Sequence, residues 1–197
     1  MGRKPLQTLK GYKHQDQGLV IFYTGYGKGK TSAAIHLAFR AAGYGHNVKI
    51  IQFIKGEWPS GEKNFLQALQ QSKVDSVGTI DFQQVGQGFV KILGDQKPFA
   101  IHQQAALSGL EQAGKDMQSG KYYLLILDEL VSAVEEKLLS EQQVLDFIAQ
   151  KPAKLTLVIT GHKKYPRIIA KCDLVTEMRK LKHPFDKGIL AKKGIDY

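Results

Sequence analysis

Nine consecutive residues constrain this chain more than any others: Thr24-Gly25-Tyr26-Gly27-Lys28-Gly29-Lys30-Thr31-Ser32. They follow directly on the apolar run Leu19-Val20-Ile21-Phe22-Tyr23, which reads as a strand buried on both faces of a parallel sheet. They open a stretch from Lys30 to Ala42 in which Ala33, Ala34, Leu37, Ala38 and Ala41 share one helical face and Gly43 supplies the stop. A glycine-rich turn between a strand and a helix lets backbone N–H groups face a phosphate with no Cβ in the way, and the helix start adds partial positive charge. Lys30 can then reach terminal phosphates, and the Thr31 hydroxyl can take a position on Mg²⁺. The pattern departs from the usual phosphate loop at one place, since position 24 carries Thr where Gly is common.

The rest of the chain repeats the alternation. Strands are expected at Val48 to Ile54, near Thr79 to Gln83, at Tyr122 to Leu127, at Thr156 to Thr160 and at Leu174 to Met178. Between them, helices are expected near Glu62 to Gln71, from Pro98 to Ser119, at Ser140 to Ala149 and near Tyr165 to Lys171. Alternation of this kind predicts an α/β fold with a mostly parallel sheet flanked by helices on both faces, and the phosphate loop after its first strand makes the expected type P-loop NTPase-like (RecA-like). With 197 residues, 43% of them hydrophobic, the chain suits one domain, expected over 18–197 and preceded by a polar, basic arm over 1–17. The tail from Leu181 to Tyr197 has no clear period.

Composition narrows the setting. The single Cys172 excludes an internal disulfide, and no signal-like apolar region opens the chain, so a cytoplasmic protein is expected. No apolar run approaches the roughly 20 residues of a membrane-spanning helix. A net charge of +10 suits polyanionic ligands in general, and an ATPase acting on nucleic acid is the alternative it raises. No nucleic-acid-binding signature accompanies the lysines.

A second element of chemistry is Leu124-Leu125-Ile126-Leu127-Asp128-Glu129, an apolar strand that delivers two carboxylates at its C-terminal end, the edge where open α/β sheets bind ligands. Asp128 and Glu129 can hold Mg²⁺ on a triphosphate or cap the helix that follows. By themselves they support nucleotide binding and leave hydrolysis and group transfer equally open. His14, His36, His46, His102, His162 and His183 lack metal-ligand spacing and are read as structural or surface residues.

Gln52-Phe53-Ile54-Lys55-Gly56-Glu57-Trp58-Pro59-Ser60-Gly61-Glu62 resembles the QFIKG-x-W-x-x-GE segment of the CobA/BtuR-type corrinoid adenosyltransferases. Three further matches carry the same resemblance: the phosphate loop, Arg40 in an R-A-x-G-x-G segment, and Leu127-Asp128-Glu129-Leu130. It extends to Lys182-His183-Pro184-Phe185-Asp186-Lys187-Gly188 and the terminal Gly194-Ile195-Asp196-Tyr197, and so covers about 18–197. The resemblance implies transfer of the 5′-deoxyadenosyl group of ATP to the Co(I) of a reduced corrinoid, with release of triphosphate. It implies that Thr24, Gly25, Tyr26, Gly27, Lys28, Gly29, Lys30, Thr31 and Ser32 hold the nucleotide, with Arg40 a further contact. It also implies Lys30, Thr31 and Phe89 as the catalytic set, and Thr31 and Glu129, with Asp128, around Mg²⁺. A homodimer and an electron-donating flavoprotein partner belong to the same expectation. Gly88-Phe89 matches a Gly-Phe whose aromatic ring faces the lower side of the corrin, but Lys91 stands where that segment has Trp and Tyr26 where the loop has Asn. Trp58 suits stacking on adenine or corrin and anchoring of its own loop equally.

Overall fold

The computed structural model describes residues 17–56, 60–72, 75–88 and 96–196. Trp58, Phe89, Lys91, Tyr197 and the arm up to residue 16 lie outside the described residues. Six strands form one sheet: β1 (Val20–Thr24), β2 (Val48–Gln52), β3 (Ile80–Gln84), β4 (Leu124–Asp128), β5 (Thr156–Thr160) and β6 (Leu174–Glu177). Their order is β3-β2-β4-β5-β1-β6, and every pairing is parallel. Parallel neighbours need crossovers, and the chain supplies them as α1 (Lys30–Ala42), α2 (Gly61–Ser72), α3 (Phe99–Gln118), α4 (Leu130–Glu135), α5 (Glu141–Ala149) and α6 (Pro166–Ile169).

Burial explains why the central strands read as uninterrupted apolar runs. In β4 every residue is buried, with Leu124 and Ile126 facing one layer and Leu125 and Leu127 the other. The first layer packs on α1 through Ala34, Ile35, Ala38, Ala41 and Ala42, and on α2 through Leu66. The small alanines let α1 lie close over the sheet. The second layer packs on α3 (Ala106, Ala113, Met117), α4, α5 and Ile168 of α6. Each fully buried Leu, Ile or Phe in these layers contributes about 1.5–3 kcal/mol relative to exposure, so the phosphate loop and the acidic strand end rise from the most strongly held part of the sheet.

The expected elements are all present, with ends shifted by a few residues, and among the described residues two are added, helix α4 and a short 3-10 turn at Pro184–Lys187. Helix α4 was not expected, because Leu130, Val131, Ser132, Ala133 and Val134 are all buried and show no amphipathic period. Strand β2 ends at Gln52 rather than Ile54, its last ladder bond running from Phe53 N–H to the Asp128 carbonyl. Strand β4 begins at Leu124 rather than Tyr122, although the Tyr123 N–H still donates to the Asn47 carbonyl and its carbonyl still accepts from Thr156 N–H. Among the described residues no helix is long and apolar enough to cross a membrane.

Candidate nucleotide site

The C-terminal ends of β1, β4 and β5 lie side by side, with β5 between the other two. The loop leaving β1 is held down from two sides. Thr24, fully buried, donates its hydroxyl to the His162 carbonyl at 3.1 Å, and Gly25 N–H donates to the same carbonyl at 3.0 Å. Gly27 N–H donates to Met178 O at 2.8 Å, beyond β6. A threonine at position 24 is therefore a clamp between two strand ends, which accounts for the departure from Gly. Gly25 is required both by its φ of 100° and by the Met178 carbonyl against which a Cβ would collide. Gly29, at φ 114°, starts α1, and no side chain among the described residues caps its first turn, so those N–H groups can face an anion.

The Lys30 ammonium arches back over the loop and donates to Gly25 O at 2.7 Å and Gly27 O at 2.9 Å. Burial lowers its pKa, while Glu129 and Asp128 hold it up. Thr31 points down to the acidic strand end, its hydroxyl 3.0 and 3.1 Å from the two carboxylate oxygens of Asp128. Asp128 is fully buried and also accepts from Gln52 Nε2 at 2.9 Å and Thr160 Oγ1 at 2.8 Å. Gln52 sits opposite Asp128 in the β2–β4 register, and Gln84, opposite Gln52, donates to its Oε1 at 3.1 Å. A polar line thus crosses four strand ends and finishes under Thr31.

Glu129 follows in the left-handed conformation, φ 61°, with its N–H donated to Thr160 Oγ1 at 2.8 Å. Among the described residues its buried Oε2 has no hydrogen-bond partner. Burial, and then the neighbouring Asp128 charge, push this carboxyl well above the ordinary carboxylate range, against the pull of Lys55 and Lys30. A buried orphan oxygen beside the Thr31–Asp128 pair fits Mg²⁺, which takes most of its ligands from phosphates and water and only one or two from protein. Among the described residues there is no His/Cys/Asp/Glu group able to cage a metal alone.

These residues border a cleft of about 540 Å³ lined by Lys28 to Ser32, Lys55, Gly61, Glu62, Glu129, His162 and the terminal Gly194, Ile195 and Asp196. Of the residues expected at the site, Lys28, Gly29, Lys30, Thr31, Ser32 and Glu129 line it, and Thr24, Gly25 and Asp128 support it from behind. Tyr26 is exposed, donates to Glu135 at 3.2 Å and stacks on His162. Arg40 lies exposed in the last turn of α1, about 13 Å along the axis from Thr31 at 1.5 Å per residue, and is not brought to the cleft lining. Lys28 donates to Ile195 O at 2.7 Å and pairs with the Asp196 carboxylate. Sequence reasoning missed Gln52 and Thr160, which a search for polar residues ending buried strands at this edge would have found. It also assigned His162 a structural or surface role, although the residue lines the cleft.

The family model of the ATP:corrinoid adenosyltransferases BtuR/CobO/CobP matches residues 16–197. The chain is 36% identical to the corrinoid adenosyltransferase CobA of Salmonella typhimurium, over 93% of this chain and 87% of that protein. Identity is 34% to the corrinoid adenosyltransferase of Escherichia coli, over 92% and 87%, and 33% to that of Pseudomonas aeruginosa, over 92% and 85%. Among solved structures, a KaiC-like protein of Pyrococcus horikoshii superposes with a TM-score of 0.53 at 14% identity, over 82% of this chain and 73% of that one, a likeness of fold alone.

Proposed function

This chain belongs to the ATP:corrinoid adenosyltransferase family and is an enzyme of that class, and from that premise we propose that the cleft beside α1 receives the triphosphate of ATP. The observation that carries the reading is the Thr31–Asp128 hydrogen bond at the base of a cleft walled by Lys30, Lys55 and the open first turn of α1. The backbone N–H groups of Gly29 to Ser32 and the Lys30 ammonium hold the triphosphate, and Lys28 adds charge at its edge. Thr31 and Glu129, with Asp128 behind them, would hold Mg²⁺, which supplies neutralisation of charge on the departing triphosphate.

Co(I) of the corrinoid substrate is the nucleophile, so the protein has no side chain to activate by proton removal. Its electron pair forms the bond to C5′ of the adenosine, and the C5′–O5′ bond breaks with its pair passing to the triphosphate. The chain's own task is to place C5′ and to stabilise the charge that leaves with the phosphates. We extend the proposal to Phe89 as the residue facing the lower side of the corrin, to 18–197 as one catalytic unit, and to a cytoplasmic homodimer receiving electrons from a flavoprotein. Arg40 can contact nucleotide only if the substrate extends well beyond the cleft. The nucleic-acid ATPase reading is set aside, since the matched family and the relatives named above are transferases.

Lys30→Ala should weaken ATP binding by roughly two orders of magnitude, the loss of a charge-assisted donor to phosphate. Calorimetry with ATP, and an anaerobic assay with ATP, Mg²⁺ and chemically reduced cobalamin, test the reading together. A light-sensitive alkyl-cobalt spectrum with triphosphate as product is expected, whereas ADP release with no change in the corrin would sink it.

A further inference from the structure

The cleft contains one ring to which the reading above gives no role. His162 stands on the loop after β5, and its main chain is fastened to the phosphate loop through the Thr24 and Gly25 bonds to its carbonyl. Its imidazole lies nearly parallel to Tyr26, with centroids 5.7 Å apart and planes 15° apart. Nδ1 is 3.3 Å from the Ser132 hydroxyl on α4. The stack fixes the plane of the ring and Ser132 engages one nitrogen, so rotation is restricted on both counts. Among the described residues Nε2 has no hydrogen-bond partner, and His162 lines the same cleft as Lys30 and Thr31.

From this placement we infer that His162 is a further substrate-contacting residue of the adenosyl transfer, its Nε2–H donating to the triphosphate, with Ser132 setting the tautomer by donating to Nδ1. The inference rests on the reading of the cleft as the triphosphate site. Burial, then the Lys30 charge, lower the imidazole's pKa against the pull of Glu135 and Asp128, which favours the neutral ring that this tautomer requires. No proton crosses in the step. As the C5′–O5′ bond breaks, negative charge accumulates on the triphosphate and the N–H stays on nitrogen while its hydrogen bond strengthens. A donor that binds the leaving group more strongly in the transition state than in the ground state raises kcat more than it lowers KM. The carbonyl of His162 serves the loop whatever the side chain, so substitutions separate the ring from the clamp.

The test uses the full chain and three variants, His162→Ala, His162→Gln and Ser132→Ala, with Lys30→Ala as reference. Turnover with reduced cobalamin, calorimetric affinity for inorganic triphosphate and thermal melting are measured on each. His162→Ala should lower kcat by about a hundred- to a thousandfold, the range for one lost donor to a developing anion, with a smaller loss of triphosphate affinity. Ser132→Ala should fall between it and the parent. His162→Gln, which retains an N–H near the position of Nε2, should recover most of the rate and decides the matter if the alanine variant does not fold. Parental kcat in His162→Ala, or a glutamine variant no better than alanine at equal melting temperature, overturns the inference. Triphosphate binding that survives Lys30→Ala sinks the cleft reading itself, whereas binding lost there with His162→Ala at parental turnover removes His162 alone.

Discussion

Asp128 concentrates the energetics of the site in one side chain. It is a fully buried carboxylate that accepts from Thr31, Gln52 and Thr160, and a buried charge is tolerable only with such company. Asp128→Asn preserves the shape but sets an NH₂ against at least one of those donors. Stability should fall by about 1–3 kcal/mol, the cost of a buried group left unsatisfied, read as a lower urea midpoint. ATP affinity should fall as well, because Thr31 loses the group that aims it. An unchanged midpoint would mean that the three donors re-pair within the core. Asp128 itself was legible because it ends an apolar run beside Glu129, and Lys30 and Thr31 were legible because a phosphate loop is written in adjacent residues. Gln52, Thr160 and His162 were not, since each acquires its role from strand register or from a carbonyl more than 130 positions away, as in the Thr24–His162 bond.

The C-terminal segment returns from β6 to lie over the loop that β1 presents. Its residues are largely exposed, yet Gly194, Ile195 and Asp196 wall the cleft and Asp196 pairs with Lys28. Asp196 also accepts from Lys192 N–H at 2.7 Å, which closes the final turn on itself. A carboxylate here competes with phosphates for the Lys28 ammonium. Asp196→Ala should therefore tighten ATP binding by about two- to fivefold, the modest scale of an exposed ion pair, and should leave the melting temperature nearly unchanged. Weaker ATP binding in that variant would instead show the turn to be a wall that the nucleotide needs. Sequence periodicity could not reach this element, whose only pattern was a terminal motif. Helix α4 escaped for the opposite reason, being apolar all round. By contrast α5 was expected at Ser140 to Ala149, and in the structure Ser140 and Gln143 form a capping box with both bonds present.

At the scale of the whole molecule, alternation of strands and helices predicts a parallel sheet but not the order β3-β2-β4-β5-β1-β6, because order depends on which crossovers pass over which neighbours. That order leaves β3 as an edge strand, and Asp81 ties it across β2 to the residues that lead into β4. Its carboxylate accepts from Lys121 Nζ at 2.7 Å and from Tyr122 Oη at 2.6 Å. Burial pushes the Asp81 carboxyl upward, but the hydrogen bonds from Lys121 and Tyr122 and the Lys121 and Lys49 charges outweigh it, and the folded pKa lies below the ordinary value. A folded pKa below the unfolded one means that the unfolded chain binds the proton first as pH falls. The stability Asp81 contributes is therefore present above its unfolded pKa of about 3.9 and is lost as pH falls through the lower folded value. Asp81→Asn should show a lower urea midpoint than the parent at pH 7, and the gap should close as both are titrated from pH 5 towards pH 2. Glu129 shifts in the opposite direction, but it does so in both proteins and cancels from their difference. A gap that persists unchanged at pH 2 would assign the contribution of Asp81 to packing at the sheet edge rather than to its charge.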